Sequence, residues 1–360
     1  MRRDVDVLVV GAGITGSATA RLLAQAGRDV LLVDRFPEGH SRGGSHGASR
    51  IFRLNYADER YVRLAQASLE GWRELEAECG ERLILPTGVL DVGPETPAIA
   101  RALSSCGVHA DEVTPAEARD RWGIAIADGE PALYQPDGGI SLADRALVAF
   151  QAGAREAGAV VLYEAEVRSL TPERAFVRAE IGTRTVIARA VVVAAGAWAP
   201  ELLGTAGIDL PVIPTRETVV YLDLPGVEEL PPLIDYARVP APGTTPLARA
   251  GVAGFALASP GDGLKAGLHH AGPVTDPSDD PEPEETIAAW AAEWARSRYL
   301  AAGDVLGTDT CLYTNTADES FVLERRGRIV VGSACSGHGF KFAPQLGRTL
   351  AALAREAAGF

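Results

Sequence analysis

The segment VDVLVVGAGITG, residues 5–16, decides the fold of this chain because it joins a buried strand to a glycine-rich turn. Its first half is rich in valine and leucine, which is typical of a strand covered on both faces, as in a parallel sheet. Gly11, Gly13 and Gly16 then form the pattern GxGxxG. Between a strand and a helix, Gly11 allows a tight turn, Gly13 lets backbone N–H groups approach a pyrophosphate, and Gly16 lets helix and strand pack closely.

The residues after this turn complete a βαβ unit. ITGSATARLLAQA, residues 14–26, predicts a helix, and DVLLVD, Asp29–Asp34, predicts a second buried strand. Asp34 stands 18 residues after Gly16, where an acidic side chain can accept hydrogen bonds from a ribose. The unit therefore predicts a dinucleotide site, which by itself fits NAD and FAD equally well.

Two distant segments favour FAD over NAD. RAVVVAAGAW, Arg189–Trp198, and SACSGHGFKF, Ser333–Phe342, each lead from a buried strand into small residues that allow backbone to lie close to a ligand. The return of a C-terminal segment to the cofactor is typical of flavin enzymes built from separated segments and unusual among nicotinamide enzymes.

The intervening residues predict a second domain. Val212–Leu224 alternates like a strand of an antiparallel sheet, whereas residues 225–251 are rich in Pro and Gly and predict irregular structure. The sequence therefore predicts an α/β fold (α+β overall), with a discontinuous Rossmann-like FAD-binding domain and an antiparallel-sheet substrate domain. The predicted boundaries are 1–85, 145–210 and 306–360 for the FAD-binding domain, and 86–144 and 211–305 for the substrate domain.

Composition limits the partners of the protein. The formal net charge is −14 at pH 7, which argues against nucleic acid and anionic membranes but still permits a locally basic pocket. The sequence shows no apolar run of about 18 residues, so no membrane-spanning helix is predicted and cytoplasm is the expected location. The four cysteines show neither a CxxC pair nor a metal-ligand spacing, so free thiols and no metal site are expected.

Lysine is unusually rare in this sequence. The chain has 34 Lys and Arg residues, and only Lys265 and Lys341 among them are lysines. Because lysine is normally among the commonest residues, these two positions are candidates for tasks that arginine cannot perform.

Four longer motifs connect the chain to a known family. They are GGSHGASRIFRLNY (Gly43–Tyr56), GLKAGLHH (Gly263–His270), TCLYTNTADESFVL (Thr310–Leu323) and SGHGFKFAPQLG (Ser336–Gly347). In order and spacing they resemble the family of monomeric sarcosine oxidase and N-methyltryptophan oxidase, which are FAD-dependent amine oxidases. The resemblance covers nearly the whole chain and implies the two-domain fold described above.

The resemblance implies a covalently attached flavin. In the family, FAD is joined through its 8-methyl group to the cysteine of a CxYT motif, which here is Cys311. A thiolate is the nucleophile that could form this bond, and nearby cations are expected to lower its pKa. The alternative is that Cys311 is a buried structural thiol.

The resemblance also assigns the basic residues. Arg53 and Lys341 match the two residues that hold the substrate carboxylate, where charge-assisted hydrogen bonds would aim the substrate Cα–H at flavin N5. Lys265 matches a lysine that acts on O₂ with a bound water, since a compact ammonium stabilises the negative charge that develops there. The alternatives are a surface arginine for Arg53 and a strand lysine paired with Asp262 for Lys265.

Further positions match residues around the flavin. Arg50 and His46 match positions near the ring, and Tyr313 and His269 match positions that line the substrate pocket. His270 is expected to point the other way, as the next residue of a strand, and to have a structural role. The residues predicted to bind the cofactor are Gly11, Gly13, Ile14, Thr15, Gly16, Asp34, Arg35, Ser45, His46, Ser49, Arg50, Ala195, Gly196, Trp198, Cys311, Gly337, Gly339, Phe340 and Lys341.

The predicted pocket departs from that of sarcosine oxidases. Ser49 stands where those enzymes carry Thr, and Asp58 stands where they carry Glu. Ala253 matches a bulky tyrosine over the substrate, once one extra residue is allowed for. This match predicts a roomier pocket, suited to a larger N-methyl amino acid or to a cyclic imino acid such as pipecolate.

The predicted function is the oxidation of a secondary-amine amino acid by a monomeric enzyme. Hydride transfer to flavin N5 would give an imine, and O₂ would then be reduced to H₂O₂. Two alternatives stay open: a flavin dehydrogenase that uses another acceptor, and a flavin-binding protein without turnover. Lys265 argues against the first, and the joint presence of Arg53, Lys265 and Lys341 argues against the second. An NAD-dependent enzyme is a more distant alternative.

Overall fold

The structure of the protein is a computed structural model that describes residues 2–239 and 252–360. The strands in these ranges are β1 (Arg2–Val10), β2 (Val30–Val33), β3 (Ser49–Phe52), β4 (Ile84–Leu85), β5 (Val89–Val92), β6 (Asp111–Glu112), β7 (Ala132–Gln135), β8 (Gly139–Leu142), β9 (Val160–Leu162), β10 (Val167–Pro172), β11 (Val177–Ile181), β12 (Arg184–Val193), β13 (Ile213–Leu222), β14 (Leu233–Val239), β15 (Val252–Ser259), β16 (Gly263–Leu268), β17 (Val305–Asn315), β18 (Val322–Arg326) and β19 (Ile329–Ser333). The α-helices are α1 (Ile14–Gln25), α2 (Glu59–Cys79), α3 (Thr96–Ser105), α4 (Pro115–Trp122), α5 (Ala143–Glu156), α6 (Ala199–Gly204), α7 (Glu285–Arg298) and α8 (Ala343–Ala358).

The first sheet contains the parallel strands that the valine-rich segments predicted. Its order is β10-β11-β12-β1-β2-β9, and β19, which carries β18 at its edge, also pairs with β12. Strands β19, β12, β1, β2 and β9 run parallel. Helices α1 and α8 cover one face with residues such as Leu23 and Leu350, which are fully buried. Val10 lies beside both Val33 and Val193, so three strands end together next to the glycine loop.

The second sheet is mainly antiparallel, in the order β17-β13-β16-β15-β14-β5-β7-β6, with β14 and β5 parallel to each other. Helix α7 packs on it through an apolar core that includes Trp294. Gly254 is required there, because a Cβ at this position would lie 2.3 Å from the Trp294 ring. The irregular structure predicted for residues 225–251 is wrong in part, since β14 occupies Leu233–Val239; residues 240–251 lie outside the described ranges.

The two sheets are built from interleaved stretches of the chain, and the mixed α/β fold class is confirmed. A small third sheet, in the order β3-β8-β4, is also present. Strand β17 belongs to the second sheet, although the boundary predicted at residue 306 placed it with the FAD-binding segments; the domain boundaries stay a prediction. Among the described residues, no helix combines the length and the apolar character needed to cross a membrane.

Candidate active site

The glycine loop has the geometry that a pyrophosphate cradle requires. Gly11 has a φ of +102°, and a Cβ there would lie 2.4 Å from the carbonyl oxygen of Ala194. A Cβ on Gly16 would lie 1.9 Å from the Gly11 oxygen. Neither position can therefore carry a larger side chain without moving the backbone. Ser45 Oγ accepts a hydrogen bond from the Ile14 N–H at 3.1 Å, which ties the loop of residues 35–48 to the start of α1.

Asp34 is fixed beside this loop as a hydrogen-bond acceptor. Its carboxylate accepts from the Ala12 N–H at 2.8 Å and from the Phe36 N–H at 3.0 Å. Burial alone would raise the pKa of Asp34, but hydrogen bonds from His40 and from these two amides leave the pKa lowered. The group is therefore an anion, and its remaining lone pairs suit a ribose hydroxyl.

A first cavity of about 320 Å³ opens beside Asp34. At its far side the Trp198 ring lies 5.1 Å from the Phe36 ring in an edge-on arrangement, and the Arg35 guanidinium lies 5.7 Å from the Trp198 ring. Of the predicted cofactor residues, this cavity is lined by Gly11, Gly13, Asp34, Arg35, Ser45, His46, Ala195, Gly196 and Trp198. Ile14, Thr15 and Gly16 do not line it; their part is to form and pack the start of α1.

A second cavity of about 420 Å³ adjoins the first, because Gly44 lines both. It brings together side chains that lie far apart in sequence. Its lining includes the predicted residues Ser49, Arg50, Arg53, Ala253, Lys265, His269, Cys311, Tyr313, Gly337, Gly339, Phe340 and Lys341.

Arg53 is held at one wall of the second cavity. Its Nη1 donates to the carbonyl oxygen of Asn55 at 2.9 Å and to the Tyr236 hydroxyl oxygen at 2.5 Å, and it lies 3.7 Å from Asp91 Oδ1. Burial disfavours the charge, but Tyr236, Tyr56 and Asp91 more than compensate and raise the pKa of Arg53. The guanidinium is a permanent cation, and its Nε and Nη2 donate to no residue that the structure describes.

Lys341 lies at the same wall, and its amine loses its proton more readily than the Arg53 guanidinium does. Its Nζ donates to the His338 carbonyl oxygen at 2.7 Å and lies 5.8 Å from the Tyr56 ring. Burial, with the neighbouring Arg53 charge, holds the pKa of Lys341 well below its usual range. An incoming carboxylate would favour the charged form of the amine, since an opposite charge nearby raises the pKa of a lysine.

Lys265 lies on β16, elsewhere in the same cavity, and no carboxylate among the described residues lies within salt-bridge distance of its Nζ. The alternative partner Asp262 instead accepts a hydrogen bond from Ser259 Oγ at 2.9 Å. Burial and the charge of Arg50 lower the pKa of Lys265 to about 8. Arg50 itself donates to the carbonyl oxygens of Gly44, His46 and Ser49, so it braces the loop that Lys265 faces.

Cys311 is half-buried on β17, and its thiol lies in the field of two cations. Burial raises the pKa of Cys311 to about 11, although Arg50 and Lys265 pull it downward. Nearby cations therefore lower the pKa of Cys311 as expected, but desolvation outweighs them, so the thiol keeps its proton at pH 7. Cys311 nevertheless lines the second cavity together with Lys265.

His269 and Tyr313 line the second cavity and pack directly against the glycine turn at Gly337. His269 Nδ1 lies 3.4 Å from the Tyr313 hydroxyl. A Cβ on Gly337 would lie 2.3 Å from the Tyr313 ring and 2.5 Å from His269 Cε1. Burial and the charge of His270 lower the pKa of His269 well below its ordinary value, so its ring is neutral at pH 7.

The predicted orientation of His270 is wrong. Strand β16 ends at Leu268, and His270 has a φ of +62°, so its ring lies 3.9 Å from that of His269 instead of on the opposite face. His270 Nε2 is 3.5 Å from Glu319 Oε1. The ligand atoms of His269, His270 and Glu319 lie within 4.8 Å of one another, which would permit a metal ion; the expected absence of a metal stays a prediction.

Sequence reasoning missed the residues that support Arg53. Tyr236, Asn55 and Asp91 surround its guanidinium from three separate segments. Tyr236 lies in the stretch that was expected to be irregular, and Asp91 breaks the apolar run of a short strand. That break, a buried acidic residue in VLDV, was the available signal.

The residues present fit FAD. His46 Nδ1, Ser49 Oγ and Trp198 Nε1 are buried without a hydrogen-bond partner among the described residues, and each belongs to a residue that lines one of the two cavities. Buried polar atoms normally have partners, so these atoms indicate a polar ligand. A glycine cradle with an acidic ribose acceptor leads into the first cavity, and the adjoining second cavity gives room for a ring system.

This fold and site define a flavin-dependent oxidoreductase. Residues 6–353 match the family described as DAO, FAD dependent oxidoreductase, and the chain belongs to that family. It is 32% identical to monomeric sarcosine oxidase of Bacillus sp. (strain B-0618), with 98% of this chain and 93% of that protein covered. It is 29% identical to N-methyl-L-tryptophan oxidase of Yersinia pestis (strain Pestoides F), with 98% and 95% covered.

A solved structure agrees with these relatives. A mutant of NikD, an unusual amino acid oxidase essential for nikkomycin biosynthesis, superimposes in its open form with a TM-score of 0.87 at 27% identity, covering 98% of this chain and 94% of that one. The family resemblance that the four motifs predicted is therefore confirmed, as are FAD as the cofactor and the class of FAD-dependent amine oxidases.

Proposed function

We propose that this protein oxidises a secondary-amine amino acid, with O₂ as the electron acceptor and H₂O₂ as the product. The observation that carries the proposal is the arrangement of cations in one cavity: Arg53 and Lys341 at one wall, and Lys265 beside the loop that Arg50 braces. The first pair suits a carboxylate, and the third cation suits a negative charge that develops on oxygen. The names of the relatives support this substrate class.

Each residue has a defined part in the reaction. Arg53 offers Nε and Nη2 to the substrate carboxylate, and Lys341 adds a second charged contact, so the substrate is held in one orientation. His269 is neutral and Tyr313 is protonated, because burial raises the pKa of Tyr313 well above its ordinary value. Both rings exclude water from the reacting carbon, and neither carries a charge that would repel or trap the amine.

The cofactor supplies the redox chemistry. When bound, FAD accepts a hydride equivalent from the substrate carbon and passes the electrons onward. The substrate amine must be neutral for this step, which the cationic surroundings of Arg53 and Lys341 favour. We propose that Cys311 holds the cofactor covalently, since its thiol faces the second cavity beside Lys265. A cytoplasmic monomer is the accompanying expectation.

The size of the pocket favours a substrate larger than sarcosine. Ala253 lines the second cavity on β15, together with apolar residues such as Phe255 and Ile234. A methyl group at position 253 leaves space that a bulky side chain would fill. We therefore propose an N-methyl amino acid with a sizeable side chain, or a cyclic imino acid.

One experiment tests the substrate class directly. The purified holoenzyme is mixed anaerobically with sarcosine, N-methyl-L-tryptophan, L-pipecolate, L-proline or a fructosyl amino acid, and bleaching of the flavin absorbance is recorded. Bleaching by one or more of these compounds is expected, with L-pipecolate or N-methyl-L-tryptophan faster than sarcosine. If none of them bleaches the flavin, the proposed substrate class is wrong.

The competing function is a dehydrogenase that uses another electron acceptor. Lys265 favours the oxidase, because a buried cation without a carboxylate partner among the described residues is costly unless it has a task. Rapid reoxidation of the reduced flavin by air would support the oxidase. A reduced flavin that stays bleached in air but recovers with an artificial quinone would support the dehydrogenase.

A further inference from the structure

The two faces of the Arg53 guanidinium have different hydrogen-bond surroundings. On one face, Nη1 is occupied by the Asn55 carbonyl oxygen and the Tyr236 hydroxyl oxygen. On the other face, Nε and Nη2 have no acceptor among the described residues, and Arg53 is one of the residues that line the second cavity. Arg53 therefore keeps its position through neutral partners, and its charge remains available to an anion in the cavity.

A buried acid lies directly behind this arginine. Asp91 is on β5, with Leu133 and Ile234 as its cross-strand neighbours, and its side chain is fully buried. Its Oδ1 lies 3.7 Å from Arg53 Nη1, and its Oδ2 accepts a hydrogen bond from Asn55 Nδ2. The distance of 3.7 Å is too long for a good hydrogen bond, so Asp91 acts on Arg53 mainly through its charge.

We propose that Asp91 is a buried counter-ion that competes with the substrate carboxylate for the charge of Arg53, so that carboxylates bind more tightly when Asp91 takes up a proton. The proposal rests on the proposed function, which assigns Arg53 to the substrate carboxylate. It makes Asp91 a positioning and tuning residue that acts through Arg53 and touches no substrate atom. No cation other than Arg53 is needed to explain its ionised form.

The direction of the pH effect follows from the groups around Asp91. Burial raises its pKa to about 6, opposed by the Arg53 charge and by hydrogen bonds with Asn55 and Tyr236. Tyr56 and Tyr236 are the other titratable groups that act on it. Burial raises the pKa of both phenols, so they are neutral throughout the relevant range. Below about pH 6 Asp91 is neutral, so a carboxylate bound in the cavity is the only anion that Arg53 attracts there. Above about pH 6 Asp91 is ionised, and its charge repels the bound carboxylate.

The two other histidines of the cavity, His338 and His269, contribute little to this window. Burial and neighbouring cations lower the pKa of His338 to about 3 and hold that of His269 well below 6.5. Lys341 can also take up a proton when a carboxylate binds, because its pKa is depressed. A variant at position 91 therefore separates the part of the pH dependence that belongs to Asp91.

The test uses acetate, the carboxylate alone, as the probe. Acetate is titrated into wild-type and Asp91→Asn holoenzyme between pH 5.5 and 8, and binding is followed by flavin absorbance or calorimetry. At pH 7.5 the variant should bind acetate roughly tenfold more tightly, because one repulsive charge has gone. The wild-type affinity should fall as the pH rises through about 6, and the variant should lose most of that fall.

A matched control is available on the next strand of the same sheet. Asp235 on β14 is also a buried acid, but it binds Trp294 Nε1 and Arg298 instead of Arg53. Asp235→Asn should keep the wild-type acetate affinity and pH profile. If Asp91→Asn does not fold, Asp91→Ser is measured in its place, and the wild-type profile is informative by itself.

The outcomes are distinct. An Asp91→Asn enzyme that binds acetate no more tightly than wild type, or a wild-type affinity that does not change between pH 5.5 and 7.5, overturns the proposal. Because acetate binding needs no turnover, failure of every amine to bleach the flavin would contradict the proposed function and leave this result standing. Conversely, amine oxidation with a flat acetate profile would retain the function and reject the role of Asp91.

Discussion

At the scale of single residues, the two lysines of the chain line one cavity and have different proposed roles there. Lys341 lies within reach of Arg53 and the Tyr56 ring, whereas Lys265 faces the loop held by Arg50. Both ammonium groups are buried, so both have depressed pKa values. A depressed pKa makes each charge sensitive to an anion that arrives in the cavity, and this is the property that their proposed roles need.

Replacing Lys265 with Met should slow the reoxidation of the flavin by O₂ and leave the reduction of the flavin by the amine almost unchanged. Anaerobic bleaching by a good substrate should stay within about threefold of wild type, and reoxidation by O₂ should slow by roughly 100-fold, as for the loss of one preorganised charge. The pKa of Lys265 is about 8, and the protonated form is the cation. Reoxidation of the wild type should therefore slow as the pH rises through about 8, and the variant should lose this dependence. Stopped-flow absorbance measures both half-reactions.

Replacing Lys341 with Met is the reciprocal experiment. The concentration of amino acid that half-saturates flavin reduction should rise at least roughly tenfold, because a charge-assisted contact to the carboxylate is lost. Reoxidation of the reduced enzyme should stay close to that of wild type. The matching amine without a carboxylate, such as piperidine for pipecolate, should show little difference between variant and wild type. Equal damage to both half-reactions in either lysine variant would contradict the role assigned to that lysine, and the reverse pattern would mean that the two roles are exchanged.

At the scale of secondary-structure elements, the sequence predicts the helices and strands whose signals lie within a single short segment. Helix α1 lies at Ile14–Gln25, within one residue of the helix that the sequence predicts over residues 14–26. Helix α2, Glu59–Cys79, has an equally local pattern, because Asp58 caps it and Gly80 ends it in the left-handed conformation. The first βαβ unit was equally clear. Strand β14 was missed because Pro and Gly flank it, and His270 was misplaced because nothing local shows that β16 ends at Leu268.

The support of Arg53 shows why a site is harder to predict than an element. Asn55, Asp91 and Tyr236 meet only after β5 and β14 pair in the second sheet. Each residue taken alone has an ordinary explanation in its own segment. The motif resemblance identified Arg53 itself. The residues that hold its guanidinium come together only when the strands of the second sheet pair.

Strand β17 offers a test of the cofactor linkage. Cys311 lies on this strand, and Cys335, in the loop after β19, is a second half-buried thiol that lines the same cavity. Cys311→Ser should bind FAD that is released by acid precipitation, whereas Cys335→Ser should keep the flavin with the precipitated protein, as in wild type. Visible absorbance of the supernatant and the mass of the intact protein measure the difference. Release of flavin from the wild-type enzyme under the same conditions would show that the linkage is absent.

At the scale of the whole molecule, the candidate cofactor site depends on both large sheets. The first cavity lies at the ends of the parallel strands, and the second is lined by β15, β16 and β17 of the antiparallel sheet, with Gly44 common to both. A ligand that occupies both cavities would contact residues from both ends of the chain. Folding of the two sheets should therefore be coupled through the cofactor.

Removal of the flavin should lower the stability of the whole molecule and not that of one part. Extraction of FAD from the Cys311→Ser protein leaves several buried polar atoms, including Ser49 Oγ and Trp198 Nε1, without hydrogen-bond partners. Adding FAD at about 1,000 times its dissociation constant should stabilise the native state by about 4 kcal/mol, which corresponds to a rise in the melting temperature of roughly 5 °C or more. Differential scanning calorimetry should show one transition that moves as a unit, because the ligand contacts both sheets. Two separate transitions, with only the first shifted by FAD, would mean that the cofactor binds the parallel sheet alone and that the second cavity is not part of its site.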